Sequence, residues 1–168
     1  MNLTPIYNRK TLLLISIGII PAVFLFLVYR IIDFNGLYGQ DSFDYLRYSR
    51  AIHDFFLHGT VPGSFHWPVL YPFAGAIVSF VVPDVLSLQV VSLLSYGFTI
   101  VFLLKILDLI SIERSQDSTL FILLFFALSP FILRYSSSAM SDPLALLFIS
   151  GFCYYYLLYI KEQKNKHF

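Results

Sequence analysis

Residues 11–29 read TLLLISIGIIPAVFLFLVY and follow Arg9 and Lys10. At ~1.5 Å of rise per residue, this run crosses a hydrocarbon core of roughly 30 Å as a single helix. A secretory leader also opens with positive charge, but its apolar core is usually only about 7–15 residues and ends at a small-residue cleavage site. Here the run passes into Val28-Tyr29-Arg30-Ile31-Ile32-Asp33, which offers no such site. It reads as a retained anchor.

The rest of the chain has the same character. Residues of the AVILMFWYC set make up 58% of 168 positions, charged residues only 12%, and mean hydropathy is +0.75. A soluble domain usually carries about 25% charge, so too few charges are present to coat a water-facing surface. The expected fold class is all-α, a polytopic membrane helix bundle with membrane lipid as a large part of its solvent. A net charge of +1 sets up no global field for nucleic acid or for an acidic substrate. The single cysteine, Cys153, excludes an intrachain disulfide. Eighteen Phe and twelve Tyr suit helices in lipid with Tyr at the interfaces, and Tyr154-Tyr155-Tyr156 reads as such a belt. No internal repeat or low-complexity tract stands out.

Beyond span 1 (11–29), residues 30–67 form the polar stretch, holding Asp33, Asp41, Asp44, Asp54, Arg47, Arg50, His53, His58 and His66. The run 68–82 is short and interrupted by Pro68, Pro72 and Gly75. Further runs follow at 85–110 (span 2), long enough to span outright, 119–133 (span 3) and 143–160 (span 4), then a basic tail with Lys161, Lys164 and Lys166. If 68–82 crosses, there are five spans and the basic ends lie on opposite sides. If it is only partly embedded, there are four and both ends lie together. The positive-inside rule favours four spans in one module, 1–168. Arg9, Lys10, Lys105, Arg114 and the tail lysines then fall inside, and Arg30, Arg47, Arg50 and Arg134 outside. The 30–67 loop and the 134–142 loop consequently share the non-cytoplasmic face, where distant carboxylates can meet in one cleft.

Within the outer loop, 42–56 reads as an amphipathic helix, with Gly36 and Gly39 before it and Gly59, Pro62 and Gly63 after it. Tyr45, Tyr48, Ile52, Phe55 and Phe56 form an apolar stripe expected to lie along the bilayer surface. Asp41, Asp44 and Tyr45 stand at i, i+3 and i+4 and share a face. A carboxylate there can act as a base after desolvation; equally, Asp41-x-x-Asp44 is close to a capping arrangement. Ser141-Asp142-Pro143 opens the last span with standard helix-start chemistry, which does not prevent Asp142 from facing a cleft. Arg47 and Arg50 suit a lipid phosphate or pairing with Asp44 and Asp54. The histidines match no closed metal site, although a divalent metal stays open, and no nucleotide loop or Ser–His–Asp pattern is present. Few ionisable residues lie mid-span, Lys105 and Asp108 standing near one end, which argues against a transport site.

Taken in order, Gly39-Gln40-Asp41-Ser42-Phe43-Asp44-Tyr45 with Arg50, then Trp67-Pro68-Val69-Leu70-Tyr71-Pro72, then Ser129-Pro130-Phe131 through Tyr135-Ser136 to Ser141-Asp142-Pro143, resemble the N-terminal module of a C-type integral membrane glycosyltransferase. The likeness is to the protein O-mannosyltransferase and aminoarabinose transferase group, and it extends over nearly the whole chain. That resemblance implies a polyprenyl-phosphate sugar donor, an outer-face site with Asp41 as the acceptor-activating base, and Asp142 helping to form the site. Asp44 would substitute for the family's Glu, which is Ser42 here. Arg50 or Arg47 would steady the departing phosphate, and Tyr45 and His66 would line the substrate site. It implies a bacterial inner membrane with both termini cytoplasmic. Family enzymes are several hundred residues long with more spans, so further sequence or a further polypeptide is expected to complete the enzyme. A non-catalytic scaffold, accessory subunit or remnant is the alternative reading.

Overall fold

The computed structural model describes residues 9–110 and 116–166, with side chains described for 11–110 and 120–163. Arg114, and the side chains of Arg9, Lys10, Lys164 and Lys166, which enter the inside-charge argument, lie outside the described residues. The described residues form an all-helical membrane bundle without strands: α1 (Arg9–Ile31), α2 (Gly39–His58), α3 (Leu70–Val78), α4 (Asp84–Ile110), α5 (Gln116–Leu128), α6 (Pro130–Ser137) and α7 (Asp142–Lys166).

Three helices, α1, α4 and α7, are long and apolar enough to cross a bilayer unaided. The 119–133 run is not one straight helix. It breaks at Ser129, whose backbone is extended (φ −63°, ψ 117°), and α5 and α6 meet at 63°. Pro130 is the cause. It has no N–H to continue the helical ladder, and its ring pushes the preceding residue out of helical geometry. Counted as one bent crossing, α5–α6 makes the fourth span.

Side-chain contacts set the directions. The Tyr96 hydroxyl of α4 donates to the Gly18 carbonyl of α1 at 2.9 Å, while Arg30 reaches Gln89 at 2.7 Å, so α1 and α4 are antiparallel. Ser92 meets Met140, and Phe102 meets Tyr154, so α4 and α7 run parallel. The chain termini of the described bundle therefore lie at one end, and residues 30–67, 79–84 and 134–142 gather at the other. At nine residues, about 14 Å of helix, α3 leaves this polar end and does not cross.

The amphipathic helix is longer than the predicted 42–56, and the N-terminal part of its apolar stripe is covered by protein. Tyr45, Tyr48 and Ile52 are buried, while Phe55 and Phe56 are exposed. The reason is α3, which packs between α2 and α4. Tyr71 meets Tyr45 edge-on at 5.1 Å, and Gly75 lets the backbones close to a distance at which an added Cβ would stand 2.4 Å from Leu88 and 3.1 Å from Ser49.

This arrangement predicts a labelling pattern. In a Cys153→Ser background, Gln40→Cys and Asp142→Cys should react with a membrane-impermeant maleimide from the same side, and Glu162→Cys from the opposite side. Labelling of positions 40 and 142 from different sides would refute the bundle.

Candidate functional site

Asp41 does not cap α2. The N-cap is Tyr38, with no side-chain cap, and Asp41 lies in the first helical turn. The local cap work falls to Ser42, whose Oγ accepts from the Tyr38 N–H at 3.0 Å and donates to the Tyr38 carbonyl at 2.7 Å. Asp41 is half-buried and makes no hydrogen bond or ion pair among the described residues. A negative charge in a first turn is favoured by the helix dipole without being consumed by it.

Asp142 is the first residue of α7. The Ser141 carbonyl accepts from Leu144 and Ala145 at 3.1 Å each, which starts the helix, while the Asp142 carboxylate stays exposed and unpaired among the described residues. The two loops meet through Tyr45, whose hydroxyl lies 2.9 Å from Ser141 Oγ. Burial pushes the Tyr45 phenol above its ordinary pKa of 10.0. The Ser141 bond pulls it down, and the charges of Asp41 and Asp142 both push it up. Both carboxylates thus act on one hydroxyl from different parts of the chain.

What holds the 134–142 loop there is the polar face of α4. Gln89, fully buried, accepts from Arg30 at 2.7 Å and donates to the Ser137 carbonyl at 2.9 Å. Ser92 Oγ donates to the Met140 carbonyl at 2.8 Å, and the Ala139 N–H donates to the Gly36 carbonyl at 2.9 Å. Sequence reading missed Gln89, and read Ser141 only as part of a helix start and not as the partner of Tyr45. The available signal for Gln89 was an amide inside an apolar span, where a polar group needs a partner.

The other predicted site residues are placed elsewhere or already engaged. Asp44 accepts from Arg47 at 2.9 Å and from the Trp67 indole at 3.3 Å. Arg50 is not beside Asp41; it pairs with Asp84 at the head of α4. His66 uses its backbone N–H on the Tyr48 hydroxyl at 3.0 Å, and its ring is exposed. The cation stationed near the head of α2 is Arg134, with its guanidinium 3.3 Å from the ring centroid of Tyr38, a close cation–π contact. Among the described residues, no group of three or more His, Cys, Asp or Glu could hold a metal.

An apolar groove of about 390 Å³ opens between α4, α6 and α7, lined by Tyr96, Phe131, Tyr135, Leu146 and Ile149, with Asp142 among its lining residues. Such a wall suits an apolar chain chemically.

Tyr45→Phe isolates the bridge between the loops. It removes one hydrogen bond of about 1 kcal/mol and the titrating proton with it. Because the folded-state value is raised, the Tyr45 contribution is fully present below the ordinary tyrosine range and is lost as pH rises through the folded value. Alkaline unfolding of the wild type in detergent should therefore carry a component that Tyr45→Phe lacks; identical alkaline profiles would show that the bridge adds nothing.

Comparisons with protein-family models, with curated proteins and with solved structures found no match to this chain.

Proposed function

We propose that this chain takes part in a membrane glycosyltransferase reaction that moves a sugar from a polyprenyl-phosphate donor to an acceptor hydroxyl on the non-cytoplasmic face. The observation that supports this reading is the uncommitted state of Asp41 and Asp142. Asp44, Arg47 and Arg50 are engaged in ion pairs, whereas these two carboxylates converge on Tyr45 without a partner, and Asp142 lines a groove fit for a lipid chain.

In the proposed reaction, Asp41 takes the proton of the acceptor hydroxyl as its oxygen bonds to the anomeric carbon. The bond from that carbon to the lipid phosphate breaks, and the electron pair leaves with the phosphate. Asp142 orients the acceptor from the opposite loop. Arg134, rather than the salt-bridged Arg50 or Arg47, is the cation free of carboxylates near the acids, and a guanidinium matches phosphate oxygens in a bidentate fork. The isoprenoid chain of the donor lies along Phe131, Leu146 and Ile149. A further polypeptide completing the enzyme forms part of the proposal, as does a bacterial inner-membrane setting with cytoplasmic termini.

A second reading, a non-catalytic scaffold or accessory subunit, draws on the Arg50–Asp84 and Arg47–Asp44 pairs, which serve packing without any substrate. Sugar transfer from a labelled polyprenyl-phosphate donor, measured in membranes from cells with and without the gene, separates the two. Loss of transfer on deletion, restored by the wild-type chain but not by an Asp41 variant, supports catalysis. Restoration by both supports the scaffold.

A further inference from the structure

A second cleft, polar in its lining, lies away from the acids, roughly 14–20 Å further along α2 by helix rise. It has a volume of about 390 Å³ and is lined by Arg50, His53 and Asp54 of α2, Ser79 at the end of α3, and Pro83 and Asp84 at the start of α4. Its charges are of both signs and sit in fixed places. The Arg50 Nε donates to the Asp84 carboxylate, which leaves the terminal guanidinium nitrogens unengaged among the described residues. Ser79 Oγ lies 2.8 Å from the Ala76 carbonyl and also contacts His53 Nδ1, which fixes the imidazole ring at the cleft wall. Asp54 is exposed and has no partner among the described residues.

Directly beside this cleft is an exposed aromatic patch. Phe80 stacks on the His53 ring at 4.4 Å, and Phe56 lies 6.2 Å from Phe80 and 6.0 Å from Phe73. All three phenylalanines are exposed, at the polar end of the bundle where α3 turns back from the membrane. A cleft offering a guanidinium and a free carboxylate, joined to an apolar patch at that depth, is complementary to an amphiphile with a zwitterionic head.

We propose that this cleft is a headgroup site for a phospholipid carrying a phosphate and a primary ammonium, the phosphatidylethanolamine class. The phosphate meets the outer face of Arg50, the ammonium meets Asp54, and the acyl chains begin on Phe56, Phe73 and Phe80. The surplus carboxylate, two acids against one guanidinium, selects an ammonium-bearing lipid over an anionic one. A primary ammonium has hydrogens to donate that a quaternary choline lacks.

The test is native mass spectrometry of the full chain in detergent, with dioleoyl phosphatidylethanolamine, phosphatidylglycerol or phosphatidylcholine added in turn. Bound phosphatidylethanolamine should exceed either of the others about tenfold, the scale of one charge-assisted hydrogen bond. Asp54→Asn should abolish that preference, while Asp33→Asn, an exposed acid at the other side of the loop, should leave it intact. Asp54 is exposed and unpaired, so its loss does not threaten folding. Soluble O-phosphoethanolamine should compete at least tenfold more weakly than the lipid, because it lacks chains for the aromatic patch. Equal retention of the three lipids, unchanged preference in Asp54→Asn, or equal competition by the soluble headgroup would each overturn the assignment.

Discussion

Asp41→Asn should lower the initial rate of sugar transfer from a polyprenyl-phosphate donor by about 10²–10⁴-fold, the usual contribution of a positioned general base. Asn keeps the size and the place in the first turn of α2 but cannot accept the acceptor's proton. Fold disruption is not expected, because Asp41 makes no hydrogen bond among the described residues and Ser42 does the capping. Asp44→Asn is the contrast. Its carboxylate is held by Arg47 and Trp67, so it should lose only a few-fold in rate, the effect of a weakened surface pair. Transfer assays in membranes containing the intact assembly measure both. Equal rates for wild type and Asp41→Asn remove Asp41 from the chemistry, and a large loss confined to Asp44→Asn would move the base three residues along the helix.

Gly36→Ala should be the most damaging single methyl in the outer loops. Gly36 has φ +81°, and an added Cβ would stand 1.9 Å from Gln89 Nε2 and 2.3 Å from Cδ of the same amide. The left-handed backbone costs an L residue roughly 1–2 kcal/mol. Displacing Gln89 from Ser137 and Arg30 leaves buried polar groups unpaired for about 1–3 kcal/mol more. A total on the order of 2–5 kcal/mol follows from those two terms. Gly39→Ala separates them, since Gly39 also has a left-handed φ of +68° but nothing within 4 Å. It should show the backbone cost alone. Apparent unfolding temperatures in detergent, with Gly36→Ala/Gln89→Ala as a relief variant, check the argument. If Gly36→Ala is no less stable than Gly39→Ala, Gln89 does not fasten the loop.

The membrane bundle was legible because the cost of exposing backbone and charge to lipid leaves few solutions for long apolar runs. The run 85–110 appears as α4 with nearly the same bounds. The bend at Ser129-Pro130 was less legible, because hydropathy averages over the very residue that breaks the ladder. The apolar stripe of α2 was seen correctly as a stripe, but its residues Tyr45, Tyr48 and Ile52 are covered by protein, while Phe55 and Phe56 stay exposed. A periodic face reports that something apolar covers it, and Tyr71 of α3 can do that as well as lipid. Convergence of Asp41 and Asp142 on one end followed from the charge count at span ends. Their common neighbour Tyr45 did not, since its bond to Ser141 joins residues 96 apart. Arg50 shows the same limit. Sequence spacing put it on the helix of Asp41, but its Nε is bonded to Asp84, a partner that only the turn back into α4 brings near.

Ser42 stands directly after Asp41 in the first turns of α2. Ser42 is fully enclosed, with its hydroxyl 3.3 Å from the sulfur of Met140. A longer acidic side chain introduced there would be sealed against a thioether with no counter-ion, a severe dehydration cost for any anion. The solitary acid at the head of this helix is therefore dictated by the seam between the two outer loops, and a tandem of neighbouring acids could be installed only by reopening that seam.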